Sequence, residues 1–357
     1  MLNISKTLVT NQKPLPPSDK LGFGNYFTDH MFIAKYSDEK GWYEASIQPY
    51  GPISLDPGAS VFHYGQALFE GMKAFRQGDD GKVVFFRPDF NYKRFCEGAE
   101  RLCLQAPPMD LFMRGLHELV AAEERWIPRE PNTSLYIRPT LIGSEPFLGV
   151  RPSRETIFFI LLSPVGSYYA EGTKPVKIWT EETYLRAAPG GLGAVKAGAN
   201  YASSLKAALE AKKKGYAQVL WLDVDHEGIE EVGTMNAFFV FNNEIVTPAL
   251  NGSILSGCTR DGIIALLKKK NLPIVERRLT IQEVIERLAK GELKEAFGTG
   301  TAAVISPIGV IHYQGKDWTI NNNENGPLST ELYNDITGIQ KGTVKDEFGW
   351  ISPLTTS

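Results

Sequence analysis

The stretch Gly190-Gly-Leu-Gly-Ala-Val-Lys196-Ala-Gly-Ala-Asn-Tyr201 places a single lysine among glycines and alanines. Small neighbours allow other groups to pack against the amine, and partial desolvation lowers the pKa of a lysine and makes it a better nucleophile. The alternative is a solvated loop lysine, which is the more common situation for this residue type. A phosphate-binding loop of the Gly-Lys-Ser/Thr type is excluded, because Val195 precedes the lysine and Ala197 follows it.

The composition is that of an ordinary soluble globular protein. The chain has 357 residues, of which 43% are hydrophobic, and its formal net charge is −3. This length favours two domains, and the lack of a basic excess argues against nucleic acid and anionic membranes as partners. The longest apolar run, Ile157–Leu162, is far shorter than the roughly 20 residues of a membrane span. The expected location is cytoplasmic.

Three cysteines are scattered along the chain, at Cys96, Cys103 and Cys258. The first two fall on one predicted helix, where their spacing separates the Cα atoms by roughly 10 Å, which is too far for a disulfide. No Cys/His cluster has the spacing of a metal site. Reduced thiols and no structural metal are therefore expected.

Hydrophobic periodicity and turn residues predict a mixed α/β (α+β) chain with antiparallel hairpins rather than a βαβ series. Residues 22–50 predict a hairpin. Asp110 is the expected N-cap of the second helix, and Leu205, Ala208 and Leu209 share one face of the third. The predicted helices cover 88–102, 110–126, 201–214, 259–269, 281–290 and 328–341, and further strands cover 134–142, 156–162, 176–180, 218–223, 229–231, 237–241, 245–247 and 295–297.

A segment rich in Gly, Ser and Pro at about 165–175 marks a domain boundary. The chain is accordingly divided into a smaller N-terminal α/β domain at 1–167, an interdomain loop at 168–184 and a larger C-terminal domain at 185–357. This division assigns Lys196 to the C-terminal domain.

Two turns are candidates for binding an anion through backbone N–H groups. Gly257-Cys258-Thr259 opens a predicted helix, whose N-terminus presents such groups. The alternative there is simple capping by Thr259. In Phe297–Ala302 a strand ends in a turn rich in Gly and Thr, where N–H groups can converge on an anion. The alternative for this segment is an ordinary tight turn.

The carboxylate pair Glu230-Glu231 precedes Gly233 at the end of a predicted strand. Glu230 is expected in a solvated acidic turn, whereas Glu231, if buried, needs a cationic partner or a hydrogen-bond donor. A lysine amine, two anion-binding turns and a carboxylate together fit one ligand with an aldehyde, a phosphate and a basic ring nitrogen. Pyridoxal 5′-phosphate has all three.

Several motifs together point to a known family. They are Lys196-Ala-Gly-Ala-Asn-Tyr201, Glu230-Glu-Val-Gly-Thr234-Met-Asn, Leu255-Ser-Gly-Cys-Thr-Arg260, Gly298-Thr-Gly-Thr-Ala302, Leu68-Phe-Glu-Gly-Met-Lys-Ala-Phe75 and Tyr136-Ile-Arg-Pro139. The chain resembles the branched-chain amino acid aminotransferases, which are fold-type IV pyridoxal-phosphate enzymes, over roughly residues 21–307. The resemblance implies an N-terminal domain with an antiparallel sheet and helices, and a C-terminal, cofactor-anchoring domain with a sheet or pseudo-barrel and helices.

The resemblance also implies cofactor roles for the residues that match its motifs. Lys196 would form the internal aldimine and then shuttle the proton between Cα and C4′. Tyr201 would bond the 3′-oxygen of the cofactor, and Glu231 would keep the pyridine nitrogen protonated. Arg94 would pair with the phosphate as a bidentate donor. The rest of the phosphate cradle would comprise Thr234, Leu255, Gly257, Cys258, Thr259 and Thr301.

The same resemblance implies a pocket that accepts a branched aliphatic side chain and, in the other half-reaction, the side chain of glutamate. Arg138 would meet the distal carboxylate of glutamate, and Thr301 with Ala302 would hold the α-carboxylate. Tyr168 would lie in a mobile interdomain loop. The apolar wall would comprise Phe23, Tyr64, Phe69 and Tyr136, for which core packing is the alternative, with Leu148 and Val150 contributed by the partner subunit of a homodimer.

The implied activity is a ping-pong transamination in amino-acid biosynthesis, with small-molecule substrates. Leucine, isoleucine or valine and 2-oxoglutarate would give a branched-chain 2-oxo acid and L-glutamate. One alternative is a lyase or D-amino acid transaminase of the same fold, which differs in its substrate preference. Another is a non-catalytic binding protein, which the presence of Lys196, Glu231 and Arg94 disfavours.

Overall fold

The computed structural model describes residues 2–78, 81–166 and 174–355, and they form the mixed α/β fold predicted from the sequence. In chain order the strands are β1 (Ser5–Lys6), β2 (His30–Ser37), β3 (Gly41–Pro49), β4 (Ala67–Phe69), β5 (Met72–Gln77), β6 (Lys82–Phe86), β7 (Ser134–Gly143), β8 (Glu155–Val165), β9 (Val176–Thr180), β10 (Gln218–Leu222), β11 (Ile229–Val232), β12 (Met235–Phe241), β13 (Ile245–Pro248), β14 (Ile274–Arg277), β15 (Leu293–Gly300), β16 (Val304–Tyr313), β17 (Lys316–Thr319) and β18 (Ile351–Pro353). The helices are α1 (Ser60–Tyr64), α2 (Pro88–Arg101), α3 (Met109–Ala122), α4 (Gly198–Lys213), α5 (Cys258–Lys269), α6 (Ile281–Ala289) and α7 (Pro327–Lys341).

The chain forms two compact units. The first contains Met1–Ala170, Val195–Ala199 and Gly338–Ser357, and the second contains Glu171–Ala194 and Asn200–Thr337. The predicted domain limits of 1–167, 168–184 and 185–357 differ from these bounds, because the segment around Lys196 and the C-terminal segment both belong to the first unit. Each unit has its own hydrophobic core.

A largely antiparallel sheet forms the centre of the first unit. Its strand order is β1-β3-β2-β8-β7-β5-β6-β18, and β4 pairs with β7. The predicted hairpin is confirmed as β2 and β3. Because side chains alternate along a strand, β7 directs Leu135 and Ile137 into the core and Tyr136 and Arg138 to the opposite face of the sheet.

Helices α2 and α3 pack against this sheet. The predicted helix at α2 is confirmed and begins with Pro88, whose fixed φ suits a first turn. The prediction of Asp110 as an N-cap is wrong, because α3 starts one residue earlier, after Pro108, whose extended backbone occupies the N-cap position. Asp110 instead accepts hydrogen bonds from Arg114 one turn later. The helix ends at Ala122, before the predicted limit, and a 3₁₀ turn follows.

The second unit is built on a mixed sheet. Its strand order is β11-β10-β9-β16-β15-β12-β13-β14, with β17 on β16. A further pairing of β11 with β12 closes part of this sheet into a barrel. The strands β10 to β13 form the predicted meander. Two βαβ units that the sequence pattern did not predict, β9–α4–β10 and β13–α5–β14, join parallel neighbours through a helix.

Helix α4 packs through its alanines and not through its leucines. Leu205 and Leu209 are 66% and 55% exposed, whereas Ala207 and Ala211 are buried in a cluster with Trp221 of β10. The large indole on the strand faces the small residues of the helix. The face of α4 that carries Leu205 and Leu209 is therefore its exposed face.

Candidate active site

Lys196 is anchored through its backbone to the edge of β4. The N–H of Phe69 donates to the carbonyl of Lys196 at 3.2 Å, and Leu68 forms an isolated β-bridge with Ala197. The Nζ atom of Lys196 lies 4.8 Å from the centroid of the Phe69 ring. The lysine is only partly exposed and lies beside β4, whose central residue Leu68 is buried, in contrast to a solvated loop lysine.

The surroundings of the Lys196 amine disfavour its positive charge. Burial is the main cause, Arg94 reinforces it and Glu70 opposes it, with the result that the pKa of Lys196 falls to about 8. Tyr136, like Glu70, raises the pKa of Lys196, whereas Arg138, like Arg94, lowers it. An amine with this pKa has an appreciable neutral, nucleophilic fraction at slightly alkaline pH.

Arg94 is paired with a carboxylate. Its Nε lies 2.6 Å from Glu70 Oε1 and its Nη2 lies 2.8 Å from Glu70 Oε2, which is a side-on bidentate geometry. The Nδ2 of Asn91 and the N–H of Gly71 donate to the same Oε2 at 2.8 and 3.0 Å. Both charged residues are buried, so that α2 presents this arginine to the interior of the unit.

Two glycines allow the close packing around this pair. A Cβ atom at Gly98 would lie 2.6 Å from Leu68 Cδ1, so that α2 approaches β4 this closely only where a side chain is absent. A Cβ atom at Gly71 would lie 2.1 Å from the hydroxyl oxygen of Tyr136. Neither glycine has a positive φ, so the close neighbours, and not the backbone conformation, require glycine at these two positions.

Aromatic rings and one cation gather on the face of β7 that points away from the core. Arg138 Nη2 donates to the hydroxyl of Tyr136 at 3.0 Å, and Arg138 Cζ lies 4.5 Å from the centroid of Phe69. Phe23 packs edge-on against Tyr136, with centroids 4.8 Å apart. In the part of the chain that the structure describes, Arg138 Nε is buried without a hydrogen-bond partner. This face combines an apolar wall with a donor available to a ligand.

Other residues expected in the substrate pocket lie at the surface of the first unit. Tyr64 is 44% exposed, and its hydroxyl donates to the carbonyl of Leu148. Leu148 and Val150 are 65% and 87% exposed. Adjacent exposed apolar side chains mark a surface that another molecule can cover. Tyr168 lies outside the described residues.

In the second unit, Glu231 lies on β11 and is buried. Its Oε1 accepts a hydrogen bond from the N–H of Leu255 at 2.9 Å and lies 3.3 Å from Nη2 of Arg186. Arg186 also donates to the carbonyls of Gly193 and Ser253, and its Nε is buried without a partner among the described residues. The Glu231 carboxylate thus has the cation and the backbone donor that its burial requires.

Glu230 is buried, and its prediction as a solvated residue is wrong. It is 1% exposed, and burial raises the pKa of its carboxyl group, against hydrogen bonds from Ser253 Oγ and Asn251 Nδ2. The sequence pattern ended the strand at the carboxylate pair. In the structure β11 continues to Val232, and the turn starts at Gly233.

Helix α5 begins at Cys258, which is itself buried. Its N-cap is Gly257, in an extended conformation and without a side-chain hydrogen bond to the first turn. The alternative that Thr259 caps the helix is wrong, because Thr259 is already inside the helix and buried. A Cβ atom at Gly257 would lie 2.0 Å from Asn236 Oδ1. The N-cap glycine offers no side chain to the first turn, and the positive end of a helix favours an anion.

Thr234 and Thr301 lie in turns at one end of the barrel. Thr234 belongs to the turn between β11 and β12, and Thr301 and Ala302 belong to the turn between β15 and β16. The two turns are neighbours because Asn236 of β12 pairs with Thr299 of β15. Thr299 Oγ1 is buried and has no hydrogen-bond partner within residues 2–78, 81–166 and 174–355.

Tyr201 lies near the start of α4 and is half-buried. Its carbonyl accepts a hydrogen bond from Ser204 Oγ at 2.8 Å. Asn200 Nδ2 donates to the carbonyl of Leu192 at 2.7 Å and ties the helix to the glycine-rich stretch. The helix starts at Gly198, earlier than predicted.

Sequence reasoning missed two charged residues, Glu70 and Arg186. Glu70 could have been found, because a single carboxylate within the apolar segment Leu68–Phe75 must be buried with a cationic partner. Arg186 had no comparable signal, since nothing in the sequence around it indicates that it pairs with Glu231.

Neither a metal site nor a membrane span is found in the described ranges. No group of His, Cys, Asp or Glu residues there is arranged to hold a metal ion. No helix in the same ranges has the length and hydrophobicity needed to cross a bilayer.

Comparison with known proteins supports the fold predicted from the sequence. The family described as "Amino-transferase class IV" matches residues 67–311. Branched-chain-amino-acid aminotransferase 2 of Bacillus subtilis (strain 168) is 52% identical over 354 residues, which cover 98% of this chain and 97% of that protein. The structure of the Escherichia coli branched-chain amino acid aminotransferase has a TM-score of 0.78 and 26% identity, and the match covers 92% of this chain and 99% of that chain. The structure of a T.th. branched-chain amino acid aminotransferase complexed with N-(5′-phosphopyridoxyl)-L-glutamate has a TM-score of 0.74 and 23% identity. This match covers 91% of this chain and 98% of that chain.

Proposed function

The chain belongs to the branched-chain-amino-acid aminotransferases of class IV, and from this premise we propose that it transfers the amino group of leucine, isoleucine or valine to 2-oxoglutarate with pyridoxal 5′-phosphate as its cofactor. The products are a branched-chain 2-oxo acid and L-glutamate. The reaction follows a ping-pong scheme, in which the first product leaves before the second substrate binds. The observation that supports this most directly is the Lys196 amine, with a pKa of about 8, beside the buried Glu70–Arg94 pair.

The residues present suit this cofactor. In the first unit, Lys196 offers an amine of lowered pKa, and Arg94 offers a guanidinium group suited to a phosphate. In the second unit, the N-cap of α5 is a glycine, which offers no side chain to the first turn, and Arg186 Nε and Thr299 Oγ1 are buried without a partner among the described residues. Buried donors without partners favour a polar ligand. The other residues proposed to hold the cofactor are Tyr201, Glu231, Thr234, Leu255, Gly257, Cys258, Thr259 and Thr301.

The bound cofactor supplies an aldehyde that reacts with amines and a ring that withdraws electrons from the substrate Cα. Lys196 Nζ is proposed as the base that would take the proton from the substrate Cα and deliver it to C4′ of the bound cofactor, since a pKa of about 8 allows the amine both to accept and to donate a proton near neutral pH. Glu231 is held by Leu255 N–H and Arg186. A carboxylate fixed in this way is suited to bind a protonated ring nitrogen.

The proposed substrate pocket accepts two kinds of side chain. Phe23, Phe69 and Tyr136 provide apolar surface for a branched aliphatic chain, whose burial is favourable. Arg138, whose Nε is buried without a partner in the described ranges, is proposed to meet the distal carboxylate of glutamate. The T.th. relative in complex with a phosphopyridoxyl-glutamate adduct supports glutamate as the second amino acid. Thr301 and Ala302 are proposed to hold the α-carboxylate.

We also propose a cytoplasmic homodimer. The support is the exposed apolar pair Leu148 and Val150, which a second copy of the chain would cover and which would complete the pocket near Tyr64. Tyr168 remains a predicted substrate contact.

Steady-state kinetics test the proposed reaction. Initial rates with L-leucine and 2-oxoglutarate should give parallel double-reciprocal lines, as a ping-pong scheme requires, and kcat/KM should be far higher for L-leucine, L-isoleucine and L-valine than for D-alanine. Lys196→Ala should abolish turnover. A preference for D-alanine, or intersecting lines, would contradict the proposal.

A further inference from the structure

We propose that Glu70 is a positioning residue for the transamination, which fixes the guanidinium group of Arg94 in the orientation that meets the cofactor phosphate and balances the positive charge around Lys196. This inference rests on the proposed function, since it concerns the same site. It assigns a role to a buried carboxylate that does not itself touch the reacting atoms.

The geometry of the pair determines which edge of the arginine can meet another anion. Glu70 occupies the edge formed by Nε and Nη2, at 2.6 and 2.8 Å. A second anion must therefore approach Arg94 from the edge formed by Nη1 and Nη2. Because guanidinium is planar and rigid, fixing one edge fixes the direction of the other.

The carboxylate is itself held from several sides. Asn91 of α2 and the N–H of Gly71 donate to Oε2, and the N–H of Glu70 donates to the carbonyl of Pro139 on β7 at 2.8 Å. The side chain of Glu70 is 0% exposed. A carboxylate fixed in this way can transmit a defined orientation to Arg94.

The charges around Lys196 explain why a carboxylate is needed there. Arg94 on α2 and Arg138 on β7 destabilise the protonated form of the Lys196 amine. Glu70, next to β4, and Tyr136 on β7 stabilise that form. Removal of the Glu70 carboxylate would leave the two arginines uncompensated at this position. The pKa of Lys196 would then fall further.

Stability alone is a weak explanation for this ion pair. Burying a carboxylate and a guanidinium costs desolvation energy that their attraction roughly offsets, and apolar replacements are often as stable. A role in the site accounts for the retained charges.

The test uses the full-length protein and the variants Glu70→Gln and Glu70→Asp. Asp29→Asn is the matched control, because Asp29 is buried in the same unit and accepts from Arg125 at 2.5 Å. Two quantities are measured besides thermal stability. They are the Kd for pyridoxal 5′-phosphate compared with that for pyridoxal, which lacks the phosphate, and the pH midpoint of the visible absorbance change of the holoenzyme.

Glu70→Gln should raise the Kd for pyridoxal 5′-phosphate about tenfold, as expected when a charge-assisted contact is weakened, and should change the Kd for pyridoxal much less. It should also move the absorbance midpoint to lower pH. Glu70→Asp keeps the charge but shortens the reach, so the midpoint should stay near the wild-type value while the phosphate-dependent affinity falls. Asp29→Asn should change neither quantity.

Equal losses of affinity for the two ligands, or an unchanged Kd and midpoint in Glu70→Gln, would overturn the inference and leave Glu70 a structural residue. If Glu70→Gln does not fold, Glu70→Asp decides, since an unchanged affinity for pyridoxal 5′-phosphate in that variant contradicts the positioning role. Failure of the wild-type protein to bind pyridoxal 5′-phosphate would instead refute the proposed function.

Discussion

Replacing Gly71 with alanine should disturb the proposed substrate pocket through a steric contact with Tyr136. The added Cβ would lie 2.1 Å from the hydroxyl oxygen of Tyr136 and 2.9 Å from its Cζ. The backbone conformation at Gly71 is open to alanine, since its φ is not positive. The substitution therefore tests the contact without adding backbone strain.

The size of the effect follows from the overlap. Carbon atoms in contact sit about 3.5 Å apart or more, so the ring of Tyr136 must move by about 1 Å. Overpacking of this kind costs about 1–3 kcal/mol. Arg138 is bonded to the same hydroxyl at 3.0 Å and would move with it. A misplacement of about 1 Å near the reacting groups costs about 100-fold in rate.

The assay is kcat/KM for L-leucine together with Tm. We expect a fall of about 100-fold in kcat/KM and of several degrees in Tm. Gly51→Ala is the control, because a Cβ atom there meets nothing within 4 Å, and it should leave both values unchanged. The double variant with Tyr136→Phe removes the hydroxyl and should recover part of the lost stability. Wild-type kinetics and Tm in Gly71→Ala would show that the close contact between Gly71 and Tyr136 constrains neither the pocket nor the fold.

Three further predictions concern stability. In the cofactor-free protein, Lys196→Met should raise the free energy of unfolding by at most about 3 kcal/mol at pH 7. The pKa of Lys196 in the folded protein, about 8, lies below the ordinary value of 10.5, so this gain should disappear as the pH rises from 8 through 10.5. A difference in the free energy of unfolding that does not depend on pH would contradict this prediction. Glu230→Gln should have a higher Tm than the wild type at pH 8 but not at pH 4. Burial raises the pKa of Glu230, so the wild-type protein loses stability when the pH rises above the ordinary pKa of this carboxyl group and the group must ionise. A lower Tm of the variant at pH 8 would contradict the effect of burial. Thr280→Ala should cost about 1 kcal/mol, measured by denaturant unfolding, because the Thr280 side chain accepts from Glu283 N–H as the N-cap of α6, and kcat should not change.

The features that could be predicted from the sequence are those with local causes. Side-chain spacing predicted a hairpin within residues 22–50, where β2 and β3 lie, and predicted α2, α5 and α7 to within a few residues, because this spacing reflects the element itself. The glycines and alanines around Lys196 predicted close packing for the same reason. The mixed α/β fold is thus largely encoded in short segments.

The features that could not be predicted depend on residues far apart in the chain. Glu70 follows β4 and Arg94 lies on α2, and the two meet only when Gly98 lets α2 approach β4. Glu230 is buried because β11 pairs with strands on both sides in the barrel, which no local pattern around the carboxylate shows. The packing face of α4 is decided by Trp221 on a neighbouring strand, so the leucine spacing within the helix is misleading.

Reduction of the holoenzyme with borohydride followed by peptide mapping would show directly which lysine carries the cofactor. The first unit also contains the buried lysine Lys73, whose pKa burial likewise lowers to about 8, so a lowered pKa alone does not identify the cofactor lysine. We predict a phosphopyridoxyl label on the peptide that contains Lys196 and none on the peptide that contains Lys73. A label on Lys73, or on any peptide without Lys196, would contradict the assignment of Lys196 as the cofactor lysine.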